Sequence, residues 1–227
     1  MQEPLHPHKK TTCQGRRRRQ WWLSLIVFVV IGLGWWWPYL GFAVPLTMAA
    51  GMIGGLSGGR WVCGNLCPRG SFWDRHFSLI VKHEKPSPAW LKNLFFRWVV
   101  FVALIAFMFY RAGADITSPA HWGRVFWLMC TVTTCIGIIG GFAYHRRFWC
   151  IFCPIGTFAA TVSGHKHQLR IADKTCISCH ACDRACPIGI NPEQYRSTGR
   201  IADRDCLRCE ECIDACPTQS IGKDRDL

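Results

Sequence analysis

Acidic side chains are almost missing from the first three quarters of this chain. Residues 1–167 hold four Asp/Glu against eighteen Lys/Arg, a net of +14, whereas residues 168–227 hold ten against nine, a net of −1. No carboxylate falls inside the long apolar runs, so an ion-coupled pump, which needs protonatable groups at membrane depth, finds no support. No glycine-rich phosphate loop, hydrolytic triad or zinc-protease signature occurs. No opposed histidine pair lies within the apolar runs, which leaves an intramembrane haem without ligands. The basic excess sits beside apolar runs, where membrane topology explains it and nucleic acid is not needed.

Cysteine, by contrast, is plentiful at 15 of 227 residues, and it is ordered. Cys176, Cys179, Cys182, Cys186 and Pro187 form a Cys-x2-Cys-x2-Cys-x3-Cys-Pro run, repeated thirty residues later as Cys206, Cys209, Cys212, Cys216 and Pro217. Arg170-Ile171-Ala172-Asp173 before the first copy recurs as Arg200-Ile201-Ala202-Asp203 before the second. At this spacing, tight turns deliver thiolates to [4Fe–4S] cubanes. Zinc knuckles separate paired Cys-x2-Cys units by longer gaps, and disulfides have no reason to recur every three residues. In two-cluster ferredoxins the fourth cysteine of each run ligates the other cluster. One cubane is therefore expected on Cys176, Cys179, Cys182 and Cys216, and the other on Cys206, Cys209, Cys212 and Cys186. Each unit should read as a short strand, a ligand loop and one helical turn. So small a domain depends on its metal–sulfur bonds for folding energy.

Twelve tryptophans and fourteen phenylalanines accompany four apolar stretches, at residues 21–37, 40–59, 94–110 and 125–144. Each approaches the ~20 residues that cross a hydrocarbon core. Tryptophans at both ends of the first stretch mark interfaces, and Arg97 near the start of the third is expected to snorkel outward. Basic residues at 9, 10, 16–19, 60, 69, 75, 82, 85, 92, 146 and 147 flank one side of the resulting bundle, which puts both termini in the cytoplasm. Residues 16–50 mimic a signal peptide, but the topology needs this segment as a span. The expected class is an α-helical membrane protein with four transmembrane helices in two tandem helix pairs, followed by a small C-terminal α+β two-cluster ferredoxin domain. Its parts are a basic, disordered cytoplasmic tail over 1–20, a membrane domain over 21–167 and the ferredoxin domain over 168–227. A cytoplasmic ferredoxin domain would sit in a reducing compartment, where thiolates survive.

The membrane half carries its own duplication. Arg60-Trp61-Val62-Cys63-Gly64-Asn65-Leu66-Cys67-Pro68-Arg69-Gly70-Ser71-Phe72 follows the second stretch. Arg147-Phe148-Trp149-Cys150-Ile151-Phe152-Cys153-Pro154-Ile155-Gly156-Thr157-Phe158 follows the fourth, one residue shorter between cysteines. Proline favours the first helical turn, so Cys67 and Cys153 are expected at helix N-termini, where the dipole would lower a thiol pKa. Trp73, Phe77 and Ile80 should share one face of an interfacial helix. Cys63, Cys67, Cys150 and Cys153 either converge on a third redox or metal site, cycle as two dithiol pairs, or simply pack at helix ends.

Four spans, two such Cys-Pro elements at 63–68 and 150–154, and a C-terminal two-cluster ferredoxin resemble the NapH/MauN-type membrane ferredoxins. More distantly the elements are similar to those of FixG/CcoG and of the nitrous oxide reductase regulator NosR. The short Cys150-x2-Cys153 spacing departs from the NapH pattern, and there is no large periplasmic domain of the NosR type. The resemblance implies a multi-pass protein of a bacterial or archaeal cytoplasmic membrane that relays electrons between the quinone pool, or an integral redox subunit, and a soluble ferredoxin, flavodoxin or reductase. Its cofactors would be two [4Fe–4S] clusters, with quinone and a third cluster as open additions. The rival is an assembly or redox-sensing protein that reduces a metal or disulfide while another enzyme matures.

Other candidates are set aside. Cys130 and Cys135 lie five apart on one helix and point in different directions, so they read as packing residues. His76, His121 and His145 fall near interfaces, His6 and His8 in the tail, and Cys13 has no role. The haem-attachment string Cys176-Ile177-Ser178-Cys179-His180 belongs to the first ferredoxin run.

Overall fold

Long apolar runs form the longest helices, because a helix satisfies its own backbone wherever water is excluded. The computed structural model describes residues 11–81, 87–163 and 168–223. Helix α1 spans Thr11–Leu33, and a 3₁₀ turn at Pro38–Phe42 leads into α2 at Ala43–Gly58. Two one-turn helices follow, α3 at Trp61–Asn65 and α4 at Pro68–Phe72, then a π-helical turn at Trp73–Phe77 and α5 at Ser78–Ile80. The plan then repeats: α6 at Leu94–Ala112, α7 at Pro119–Ala143, α8 at Phe148–Phe152 and α9 at Pro154–Ser163.

Among the described residues three stretches are long and apolar enough to cross a membrane: Pro38–Gly58, Leu94–Ala112 and Pro119–Ala143. The expected first span differs. Helix α1 ends at Leu33 and carries the arginines at 16–19 in its N-terminal turns, so its apolar part runs only from Trp21. That is about 13 residues, or roughly 20 Å, against a core of about 30 Å. The expected disordered tail is corrected over 11–20, which is helical with Cys13, Arg16 and Gln20 buried; residues 1–10 lie outside the described residues. The physical reason is that this end of α1 finds counter-charges and a packing surface in α4 and in the C-terminal domain.

The two halves interlock by exchange. Helix α9 of the second half packs on α2 of the first, where Gly51 and Gly55 receive Ile155 and Ala159. In return Trp73 and Phe77 of the first half press against Gly137 and Gly141 of α7. Both glycine pairs are spaced four apart, the small-residue spacing that lets helices approach closely. Trp73 and Phe77 are thus buried as one face, but Ile80 is 67 % exposed. The π turn adds a residue to the helical repeat and takes Ile80 off that face.

The C-terminal part is small and doubled. Strand β1 at Arg170–Ile171 pairs antiparallel with β2 at Ile221–Gly222, and Arg170 also bridges to Arg200. Between them lie α10 at Ala181–Ala185 and α11 at Glu211–Ala215, packed on each other. Leu169, Ile171, Ile188, Ile190, Ile201, Leu207, Ile213 and Ile221 form the apolar filling, continuous with Trp73, Trp149 and Ile151 of the helical half.

Candidate functional site

The two ligand loops are the same turn made twice. Ser178 and His180 in the first, and Arg208 and Glu210 in the second, have φ of 51°, 56°, 48° and 66°. They sit two and four residues after Cys176 and Cys206, and left-handed residues at those steps curl the chain around a point. The third cysteines, Cys182 and Cys212, lie on α10 and α11, whose ends at Cys186 and Cys216 are enforced by Pro187 and Pro217. Because α10 packs on α11, each fourth cysteine is carried to the other loop. One cavity is lined by Cys176, Cys179, Cys182 and Cys216, and a second by Cys186, Cys206, Cys209 and Cys212. Each offers four thiols, the donor set a cubane takes.

Their surroundings differ. In the first loop Cys179 and His180 are exposed, His180 Nδ1 lies 2.8 Å from Asp183, and Ile177 is 63 % exposed. Although burial opposes it, donors from Thr218 and Ser220 lower the Cys216 thiol pKa; Ser220 N–H donates to its sulfur at 3.3 Å. Burial pushes the thiols up in both loops: Cys182 of the first and Cys206 of the second to about 12, and Cys212 well above its ordinary value.

The second loop is seated on the Cys-Pro elements. Asp205, one residue before Cys206, accepts from Arg60 Nη1 at 2.7 Å and from Arg97 Nη1 at 3.0 Å. Arg97 therefore turns inward, contrary to the expected snorkelling, and its Nε also donates to Thr157 at 3.2 Å. Gly64 lies against Leu207 so closely that any side chain there would strike the Leu207 carbonyl. Cys13, which had no role in the sequence, donates its S–H to the Cys209 carbonyl at 3.8 Å. Arg16 and Arg17 both pair with Glu211.

The Cys-Pro elements clamp each other. Arg60, three residues before Cys63, donates to the Cys150 carbonyl; Arg147, three residues before Cys150, donates to the Cys63 carbonyl at 3.2 Å. Gly70 and Gly156, each three residues past the second cysteine, make room, since a Cβ at Gly70 would lie 2.8 Å from the Cys63 carbonyl and one at Gly156 2.8 Å from Arg60. Asp74 anchors the first arrangement, accepting from Arg147 at 2.6 and 2.7 Å, from Gln20 at 3.0 Å and from Arg16 at 3.4 Å. Burial works against its ionisation, but Arg147 and Arg16 hold the Asp74 pKa at about 2.

Cys67 does cap a helix N-terminus, its sulfur accepting from Gly70 N–H at 3.4 Å. The expected low pKa is nevertheless reversed: burial raises Cys67, and it raises Cys63 to about 12 and Cys150 to about 11. One capping bond does not repay the loss of water around a thiolate. Among the described residues no group of three or more His, Cys, Asp or Glu could hold a single metal ion. A cubane asks something different, since its four irons stand at separate corners with one thiolate each.

The remaining candidates are dispersed. Cys135 is exposed, and the Cys130 carbonyl accepts from Thr134 at 2.6 Å. His76 lies 3.0 Å from Ser24 Oγ, edge-on to Trp21 and Phe28, and His121 contacts the Arg111 carbonyl. Buried His145 has no hydrogen-bond partner among the described residues on either ring nitrogen; burial, with Lys92 and Arg146, pushes it down to about 4. Sequence reasoning missed Asp74, Asp205, Arg16 and the roles of Arg60 and Arg147. The signal for the last two was visible as the arginine that opens both Cys-Pro elements.

Residues 168–217 match the family model of a 4Fe-4S dicluster domain, and residues 40–85 and again 125–171 match that of a 4Fe-4S binding domain. This is an iron–sulfur, ferredoxin-like protein. The paired matches of this ferredoxin-like chain cover both Cys-Pro elements, so the duplication read in the sequence is also a duplication of a known domain type. No curated protein and no solved structure matches the chain.

Proposed function

We propose that the chain is a membrane-anchored electron carrier of the NapH/MauN type, receiving electrons from quinol or an integral redox subunit and passing them to a soluble partner. The observation that carries the reading is the unequal setting of the loops: the second is bolted through Asp205 to Arg60 and Arg97, while Ile177, Cys179 and His180 of the first are open. The cysteines lining the two cavities would hold the cubanes, which supply one-electron exchange when bound. The inward loop is then the inlet and the outward loop the outlet. The membrane anchor is supported by the exposed apolar faces of the long helices, where Phe95, Val102, Ile139 and Ile53 are 60–76 % exposed. The basic flanks support a cytoplasmic setting for the carrier.

Anaerobic protein in detergent tests this. Mixing with a quinol analogue should reduce the clusters within the turnover time of a respiratory chain, followed by electron paramagnetic resonance. Slow reduction with tight binding of a metal or client protein would replace this reading with an assembly role.

A further inference from the structure

Four cysteines remain outside the ferredoxin cavities yet close to one another: Cys63, Cys67, Cys150 and Cys153. All four are free thiols with some accessible surface, and each is within electrostatic reach of the others. Two facts about their surroundings point to an anion. The first is charge. Asp205 answers two guanidinium groups, Arg60 and Arg97, while Asp74 and Glu211 together answer three, Arg16, Arg17 and Arg147. The Asp205 set keeps one positive charge in excess among side chains at most 4 % exposed, Arg60 and Arg97, whereas the buried Arg16 and Arg147 are matched by Asp74 and Glu211, and the remaining cation, Arg17, is 47 % exposed. Buried charge without compensation is expensive.

The second is hydrogen bonding. Arg60 Nε, Arg97 Nη2 and the indole N–H of Trp149, next to Cys150, are buried donors with no acceptor among the described residues. Arg60 is the one placed within electrostatic reach of Cys63, Cys150 and Cys153 at once.

We infer that Cys63, Cys67, Cys150 and Cys153 are the ligands of a third [4Fe–4S] cubane, held between the two Cys-Pro elements. An oxidised cubane with four thiolates carries roughly two negative charges, and the guanidinium left over beside Asp205 would answer part of that charge. Its sulfides are acceptors for the orphaned donors. The crossed Arg60 and Arg147 bonds fix the separation of the two cysteine pairs, as a rigid ligand set requires. The inference deepens the carrier reading and rests on it for the cluster's role, as the inlet ahead of the second ferredoxin loop, though not for its ligands.

Full-length protein, purified anaerobically in detergent, should contain about twelve irons and twelve sulfides, four of each per cubane. The double variant Cys67→Ser/Cys153→Ser should lose about four of each and keep the ferredoxin signals. If that variant fails to accumulate, the native protein decides alone: about eight irons, with Cys63, Cys67, Cys150 and Cys153 recovered as disulfides or free thiols, overturns the site. That outcome leaves the carrier intact. Twelve irons with no reduction by quinol would instead overturn the carrier and leave the site standing.

Discussion

The two ligand loops share a cysteine pattern and a backbone, and differ in what surrounds them. In the loop at 176–182 Ile177 and Cys179 are exposed, whereas their counterparts Leu207 and Cys209 in the loop at 206–212 are buried and that loop is tied to the helices through Asp205 and Glu211; the third cysteines, Cys182 and Cys212, are buried in both. Identical local chemistry therefore acquires two roles from its neighbours, because potential and access follow burial, charge and hydrogen bonds to sulfur. The Cys-Pro elements show the opposite relation. There two copies meet face to face and become one structure through exchanged arginines.

The largest effect should come from Asp205→Ala. It strands Arg60 and Arg97 as buried cations, at a cost of about 3–5 kcal/mol, and should release the inward loop. Denaturant unfolding would read the loss, and faster hydrogen exchange over residues 206–212 would read the release. An equally stable protein would mean that the seat does not depend on this bridge.

Next come the ligands themselves. Cys209→Ser and Cys179→Ser should each cost about four irons, one cubane's worth. Only Cys209→Ser should block reduction of the first-loop cubane by quinol. Cys179→Ser should leave reduction of the second-loop cubane intact while preventing transfer to a soluble acceptor. Equal behaviour of the two would remove the inlet–outlet distinction.

Acid should then weaken the Cys-Pro platform at Asp74. The Asp74 carboxyl is held at about 2 by Arg147 and Arg16, below the ~3.9 of a free aspartate. Its contribution is complete above pH ~4 and is lost as pH falls through about 2. A melting series over that window should show a smaller loss in Asp74→Asn than in the native protein. The smallest effect is expected at the outlet: Ile177→Ser should change stability by no more than ~0.5 kcal/mol yet weaken reduction of the soluble partner.

Much of this was legible in the chain. The cysteine spacing, the repeated Arg-Ile-Ala-Asp and the proline after each fourth cysteine give the ligand loops, because these are local features that a turn reads directly. The duplicated Cys-Pro elements were equally visible. The apolar runs at 40–59, 94–110 and 125–144 became long helices, but the run at 21–37 did not predict α1, which borrows its first turns from the basic tail. The low thiol pKa expected of Cys67 failed for a related reason, since a helix terminus is visible in sequence and the burial that outweighs it is not. Ile80 left its expected face because a π turn has no clear sequence mark.

Sequence alone fixed which thiols this protein owns and how each loop bends around them, since ligand spacing and backbone handedness act over a few residues. Tertiary structure decided which loop faces the helices, which arginine meets which carboxylate, and that Arg60 and Arg147 cross. Those outcomes depend on partners as far apart as Arg60 and Asp205, and long-range electrostatic pairing in a buried setting is settled only when the whole chain has packed.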